Sequence, residues 1–220
     1  MSILGALLRK ELRIELRTLE SVPGMSLFAV TTFVVFHFSL DRATVQGDLA
    51  AGVLVVTLLF AAMLGVNRLW VADEEQGGFD AVLLAPIDRT SLFVAKAIAL
   101  FTYLVVLEVV AVPAFAFLLL EPGIRPELLL VLLLADVGIA VVGTLVGALA
   151  VKTRARDLIG PLLALPLLVP IVIATAQAAQ PLLSTADRGG AEAKFLLVLG
   201  LYDLVFALVA YAVFDPLLED

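Results

Sequence analysis

Cysteine is absent from all 220 residues. Its absence excludes disulfides, thiolate metal sites, iron–sulfur clusters and covalent haem attachment within the chain. Histidine occurs once, at His37, and one imidazole cannot make a zinc site without several carboxylate partners. No G-x-x-x-x-G-K-[ST] sequence is present: Lys152-Thr153 follows Val151, and Val146 stands where the first glycine of a phosphate cradle belongs. If ATP drives this protein, it binds on another polypeptide. A secretory signal is not expected either, because the first basic residues, Arg9 and Lys10, follow Leu7 and Leu8 rather than preceding an apolar core. Neither a nucleic-acid partner nor a bound cofactor is expected.

Apolar residues are abundant, at 62%, and the mean hydropathy of +1.12 lies far above that of a soluble domain. Runs at Val22–Leu40, Leu49–Val66, Ala97–Leu120, Leu128–Val151, Leu158–Leu183 and Phe195–Phe214 are each long enough to cross a bilayer, which takes about 20 residues of helix. Strand alternation is absent, and backbone groups in lipid must be satisfied within their own segment, so the spans are helices. The expected fold is an all-α membrane protein with six transmembrane helices, forming one domain over 1–220.

Lysine and arginine orient it. With the N-terminus inside, Arg9, Lys10, Arg13, Arg17, Arg68, Arg89, Lys96, Lys152, Arg154 and Arg156 are cytoplasmic, and only Arg42, Arg125, Arg188 and Lys194 lie outside. This ten-to-four split of the 14 basic residues follows the positive-inside rule and puts both termini in the cytoplasm. Residues 3–19 carry leucines at 4, 8, 12, 16 and 19 beside a stripe of Arg9, Arg13 and Arg17. That pattern predicts an amphipathic helix in the interface, leucines toward lipid and arginines toward phosphates.

The stretch Asp73-Glu74-Glu75-Gln76-Gly77-Gly78-Phe79-Asp80-Ala81-Val82-Leu83-Leu84-Ala85-Pro86-Ile87-Asp88-Arg89 joins the second and third spans on the cytoplasmic side. Phe79, Val82 and Leu83 fall at i, i+3, i+4 and predict a short helix with one apolar face. Gly77 and Gly78 end the helix arriving from upstream, and Pro86 stops the new one. A solvated loop is the plain alternative.

Ionisable groups within the spans are His37, Glu108, Asp136 and Asp203. Each costs about 2.5–3.5 kcal/mol near the bilayer centre, which makes it a functional candidate, with helix-to-helix hydrogen bonding as the structural alternative. His37 lies near an outer end, where an imidazole needs no special role. Gly143-x-x-x-Gly147 gives the fourth span a small-residue face for close approach, within the bundle or between protomers. Pro161, Pro166 and Pro170 crowd the fifth span and predict a kink.

Glu75-Gln76-Gly77, Leu83-Leu84, Pro86 and Arg89, with Lys96 leading into the next span, resemble the permease subunits of ABC-2-type transporters. More narrowly, Lys10-Glu11-Leu12-Arg13-Ile14-Glu15-Leu16-Arg17, Asn67-Arg68-Leu69-Trp70, the block 74–89, Ala135-Asp136-Val137-Gly138-Ile139-Ala140 and Arg154-Ala155-Arg156-Asp157 resemble the haem exporter permease family of cytochrome c maturation, the CcmB family. The resemblance implies an N-terminal elbow helix and a coupling helix between spans 2 and 3. Glu74, Glu75, Gly77, Phe79, Asp80, Leu83, Leu84, Pro86 and Arg89 would then face an ATPase subunit. It implies a bacterial inner-membrane location and a homodimer paired with ATPase subunits that bind the ATP. It also implies work with two further membrane proteins of cytochrome c maturation, a haem-handling one and a small one. Haem is the substrate class implied; the permease either carries haem or only transmits motion that releases a loaded chaperone. Trp70 is the only tryptophan, so the tryptophan-rich haem motif of the haem-handling protein is missing, which favours transmission. A generic ABC-2 permease for a lipid, drug or polysaccharide, and a non-transporting scaffold, are the other readings.

Overall fold

The structure, a computed structural model, describes residues 3–40, 44–75, 89–120, 124–151, 156–184 and 189–217. Seven α-helices form among them: α1 (Ile3–Thr18), α2 (Ser21–Ser39), α3 (Gly47–Glu75), α4 (Arg89–Leu119), α5 (Pro126–Val151), α6 (Arg156–Ala179), continued by a 3-10 turn at Gln180–Leu183, and α7 (Ala193–Leu217). Six of them, α2 to α7, are long and apolar enough to cross a membrane.

Each predicted span is a helix, and α3 and α4 exceed their predicted runs the most. α3 runs to Glu75 rather than stopping near Val66, and α4 starts at Arg89 rather than Ala97. The apolar runs undercount because charged ends continue the same backbone hydrogen bonding; hydropathy reports lipid contact, not helix length. Gly77-Gly78 follows the end of α3 closely. Pro126 occupies the first position of α5, where its missing N–H costs nothing, with Glu127 beside it to complement the helix dipole.

α5 packs against α3, α4, α6 and α7, while α2 packs against α3 and α4. One contiguous apolar core runs through these helices. Small residues allow the close approach: a Cβ on Gly143 would come within 2.6 Å of a Val66 methyl of α3. A Cβ on Gly147 would collide with the Trp70 indole ring, also on α3. The Gly143-x-x-x-Gly147 face is therefore used inside the bundle. Pro161, Pro166 and Pro170 all sit within α6, and Pro113 within α4. Tyr202 of α7 donates to the Leu167 carbonyl, next to the Pro166 carbonyl that Pro170, lacking an N–H, leaves without its helical donor.

α1 forms as expected, but its buried face differs from the predicted one. Leu7, Glu11 and Glu15 are buried, Leu8 and Leu12 pack partly against the core, Leu16 is 73% exposed, and Arg9, Arg13 and Arg17 are exposed. Leu7 packs with Leu92 and Ala95 of α4. The Glu15 carboxylate accepts from the Ser21 and Val22 N–H groups at 3.0 and 2.8 Å, satisfying the open donors at the start of α2. The turn between the helices passes through Leu19 at φ 50, a left-handed conformation costing about 1–2 kcal/mol for a residue with a side chain. Leucine spacing alone points α1 at lipid; the carboxylates turn it because Glu15 finds the open N–H groups of α2 and Glu11 the Lys96 ammonium on the bundle side.

Candidate functional site

Most of the predicted coupling segment, including Gly77, Phe79, Asp80, Leu83, Leu84 and Pro86, lies outside the described residues. Its two borders are described. Glu74 and Glu75 are the last residues of α3, and Arg89 opens α4.

Further inside the bundle, α3 and α4 are joined through Lys96. This side chain is 0% exposed, although its position next to an apolar run reads as a cytoplasmic flank. Its Nζ donates to the Leu69 carbonyl of α3 at 2.9 Å, pairs with Glu11 Oε2 of α1 at 3.5 Å and lies 4.6 Å from the centroid of the Trp70 ring. A buried ammonium needs such an array, because stripping its hydration is offset only by several strong acceptors together. Glu11 is held in turn: Lys10 Nζ is 3.3 Å from its Oε1, and Tyr103 of α4 donates to its backbone carbonyl. Trp70 fills the gap above Gly147 of α5. One cation thus connects α1, α3 and α4 directly, and α5 through the indole. Helical spacing was the available signal: Leu92, Lys96, Leu100, Tyr103 and Leu107 are all buried on one face of α4, visible only once the helix is begun at Arg89.

The intramembrane acids come together in part. Glu108 of α4 and Asp136 of α5 are both 6% exposed and line one small cavity, with Glu108 Oε1 and Asp136 Oδ2 buried there without a hydrogen-bond partner. Thr175 of α6 and apolar neighbours such as Leu58 and Leu132 also line this cavity of about 20 Å3, a size that admits one water molecule. Asp203 of α7 stands apart from this cavity, near Gly138, where a Cβ would strike its carboxylate and the Ile171 side chain. His37 is at the other end of the bundle, its Nδ1 2.6 Å from the Leu118 carbonyl near the end of α4. That contact gives the ring a helix-end role.

The Glu108–Asp136 pair makes a sharp stability test. Asp136→Leu alone leaves Glu108 buried without its polar neighbour and is expected to cost about 1–3 kcal/mol. Changing both residues to leucine removes the orphaned group and is expected to recover most of that loss. Thermal unfolding of the detergent-solubilised proteins measures both; a double variant weaker than Asp136→Leu would contradict the pairing.

Six helices long and apolar enough to cross a membrane, an added N-terminal helix packed on them and a buried cation joining α1, α3 and α4 define a polytopic helical membrane protein. Residues 2–217 match the CcmB protein family. The chain belongs to that family. It is 31% identical to heme exporter protein B of Rhodobacter capsulatus over 209 residues, covering 94% of each chain. It is 30% identical to the protein of the same name from Bradyrhizobium diazoefficiens over 215 residues, 96% of each. With that of Paracoccus denitrificans it shares 31% identity over 186 residues, 83% of this chain and 84% of the relative.

Proposed function

We propose that this chain is the membrane permease of an ABC-type complex that exports haem, or releases a haem-loaded chaperone, in c-type cytochrome biogenesis. The observation that carries the reading is the family match across nearly the whole chain together with six spans in the same chain. The chain is read as one permease domain in the bacterial inner membrane, both termini cytoplasmic. It acts as a homodimer with an ATPase and with the haem-handling and small membrane proteins of cytochrome c maturation. ATP hydrolysis belongs to the ATPase. The stretch 73–89, with its helix at 79–85, is read as the coupling element, and the joint between Lys96 of α4 and Leu69 of α3 supports that role. The intramembrane acids Glu108, Asp136 and Asp203 are read as groups that hold helices in register.

A strain lacking this gene tests the reading. It is expected to lose covalently bound haem from its c-type cytochromes, keep its b-type cytochromes, and regain the c-type on expression of this chain. Normal c-type cytochromes in the deletion strain would refute the assignment. The orientation has its own test in the cysteine-free background. Gly123→Cys and Gly189→Cys should react with a membrane-impermeant maleimide in intact spheroplasts, and Gly77→Cys should not; labelling of Gly77→Cys from outside would invert the topology.

A further inference from the structure

Lys96 has a place in the coupling pathway that no docking contact requires. It sits about two turns inside α4 and is 0% exposed, so it lies on no docking surface. A buried lysine in a membrane helix, in contact with a carbonyl, a carboxylate and an indole from two other helices, is costly to insert and has cheaper structural substitutes in leucine or methionine. What those substitutes cannot do is hold three helices at once. The Leu69 carbonyl belongs to α3 about two turns before its end at Glu75, so Lys96 fixes the limb entering segment 76–88 to the limb leaving it. Glu11 adds α1, whose Glu15 then grips the start of α2 through two N–H groups. Trp70, seated on Gly147, extends the chain of contacts to α5. Displacement of the segment by an ATPase would therefore move α1 and the ends of α3 and α4 as one body, and pass to α2 and α5 by direct contact.

We propose that Lys96 is a positioning residue for energy coupling: the buried Glu11–Lys96–Leu69/Trp70 joint makes the N-terminal helix part of the unit that the ATPase moves. This rests on the coupling role proposed for the stretch 73–89. It assigns α1 a mechanical task in addition to any contact with lipid, and it predicts that docking and transmission can be separated.

The test uses the complete transporter complex in native membranes and after purification, with Lys96→Met and Glu11→Gln in this chain. Three readouts are taken: ATPase co-purified with the chain, ATP hydrolysis by the complex, and c-type cytochrome formed per cell. Lys96→Met is expected to keep the ATPase bound and hydrolysing within about twofold of the unaltered complex, while cytochrome formation falls about tenfold or more, the range of a lost inter-site coupling. Glu11→Gln keeps the Leu69 and Trp70 contacts and is expected to lose about threefold by the same reasoning. Because the chain has no cysteine, Leu7→Cys and Leu92→Cys, which pack together across α1 and α4, can be bridged by a short bis-maleimide in the Lys96→Met background. Bridging is expected to restore much of the cytochrome yield, an outcome that a purely structural role for the lysine would not produce. If Lys96→Met does not accumulate, Glu11→Gln is read on the same scale, and full cytochrome formation by it would overturn the joint. Full cytochrome formation by Lys96→Met, or loss of ATPase binding in parallel with it, would overturn the joint. Failure of the unaltered chain to retain any ATPase would remove the coupling reading beneath it as well.

Discussion

Phe79→Asp is expected to strip the ATPase from membranes that still contain this chain at its normal level. The proposal is that residues 79–85 dock one apolar face, Phe79, Val82 and Leu83, into a groove of the ATPase, with Glu74, Glu75, Asp80 and Arg89 on the polar rim. Burying one such side chain contributes about 1.5–3 kcal/mol, a factor of ten or more in affinity. A carboxylate in its place forfeits that term and adds the cost of desolvating a charge without a partner. Rim charges remain partly hydrated, so Glu74→Ala is expected to change co-purification less than about threefold. The measurement is the ratio of ATPase to permease after affinity capture of the permease, with c-type cytochrome yield beside it. A complex that keeps its ATPase fully with both Phe79→Asp and Leu83→Asp in place would end the docking proposal. The same experiment separates docking from the Lys96 joint, since only the former should change the captured ratio.

Gly147→Val is expected to cut the amount of folded protein in the membrane steeply. The first added carbon would occupy the space of the Trp70 ring, and the ring has little room to retreat, being flanked by the buried Lys96 ammonium. Overpacking a core ordinarily costs about 1–3 kcal/mol, and a β-branched side chain against an aromatic ring lies at or beyond the upper end. A stable domain has only about 5–15 kcal/mol in all, so steady-state abundance should fall steeply. Gly200→Val is the matched control, because no atom lies within 4 Å of a Cβ there, and its abundance should be unchanged. The outcome also decides between the two uses of a G-x-x-x-G face. If Gly143 and Gly147 faced a second protomer, Gly147→Val would leave a well-folded monomer, visible as a shift in native mass without loss of protein.

Sequence alone determined the class of this protein, for a physical reason. A bilayer leaves helices of about 20 apolar residues as the open choice for such runs, so Val22–Leu40 and its five successors read directly as the α2 to α7 spans. Hydropathy could also mark Glu108 and Asp136 as out of place, because their cost in lipid depends only on depth. It could not say that they meet, since helix rotation and neighbour order are decided by packing against the other helices. The same limit hid the joint at the other end of the bundle. Lys96, Glu11 and Glu15 each look like surface charge when counted along the chain, and a charge near the end of an apolar run is usually solvated. Tertiary packing reversed that reading. α1 folds back along α4, three helices converge on one ammonium, and residues as distant in sequence as Glu11 and Lys96 become partners. Partners fixed across helices leave no periodic trace in a single sequence, and the charges that link α1, α3 and α4 are visible only in the folded chain.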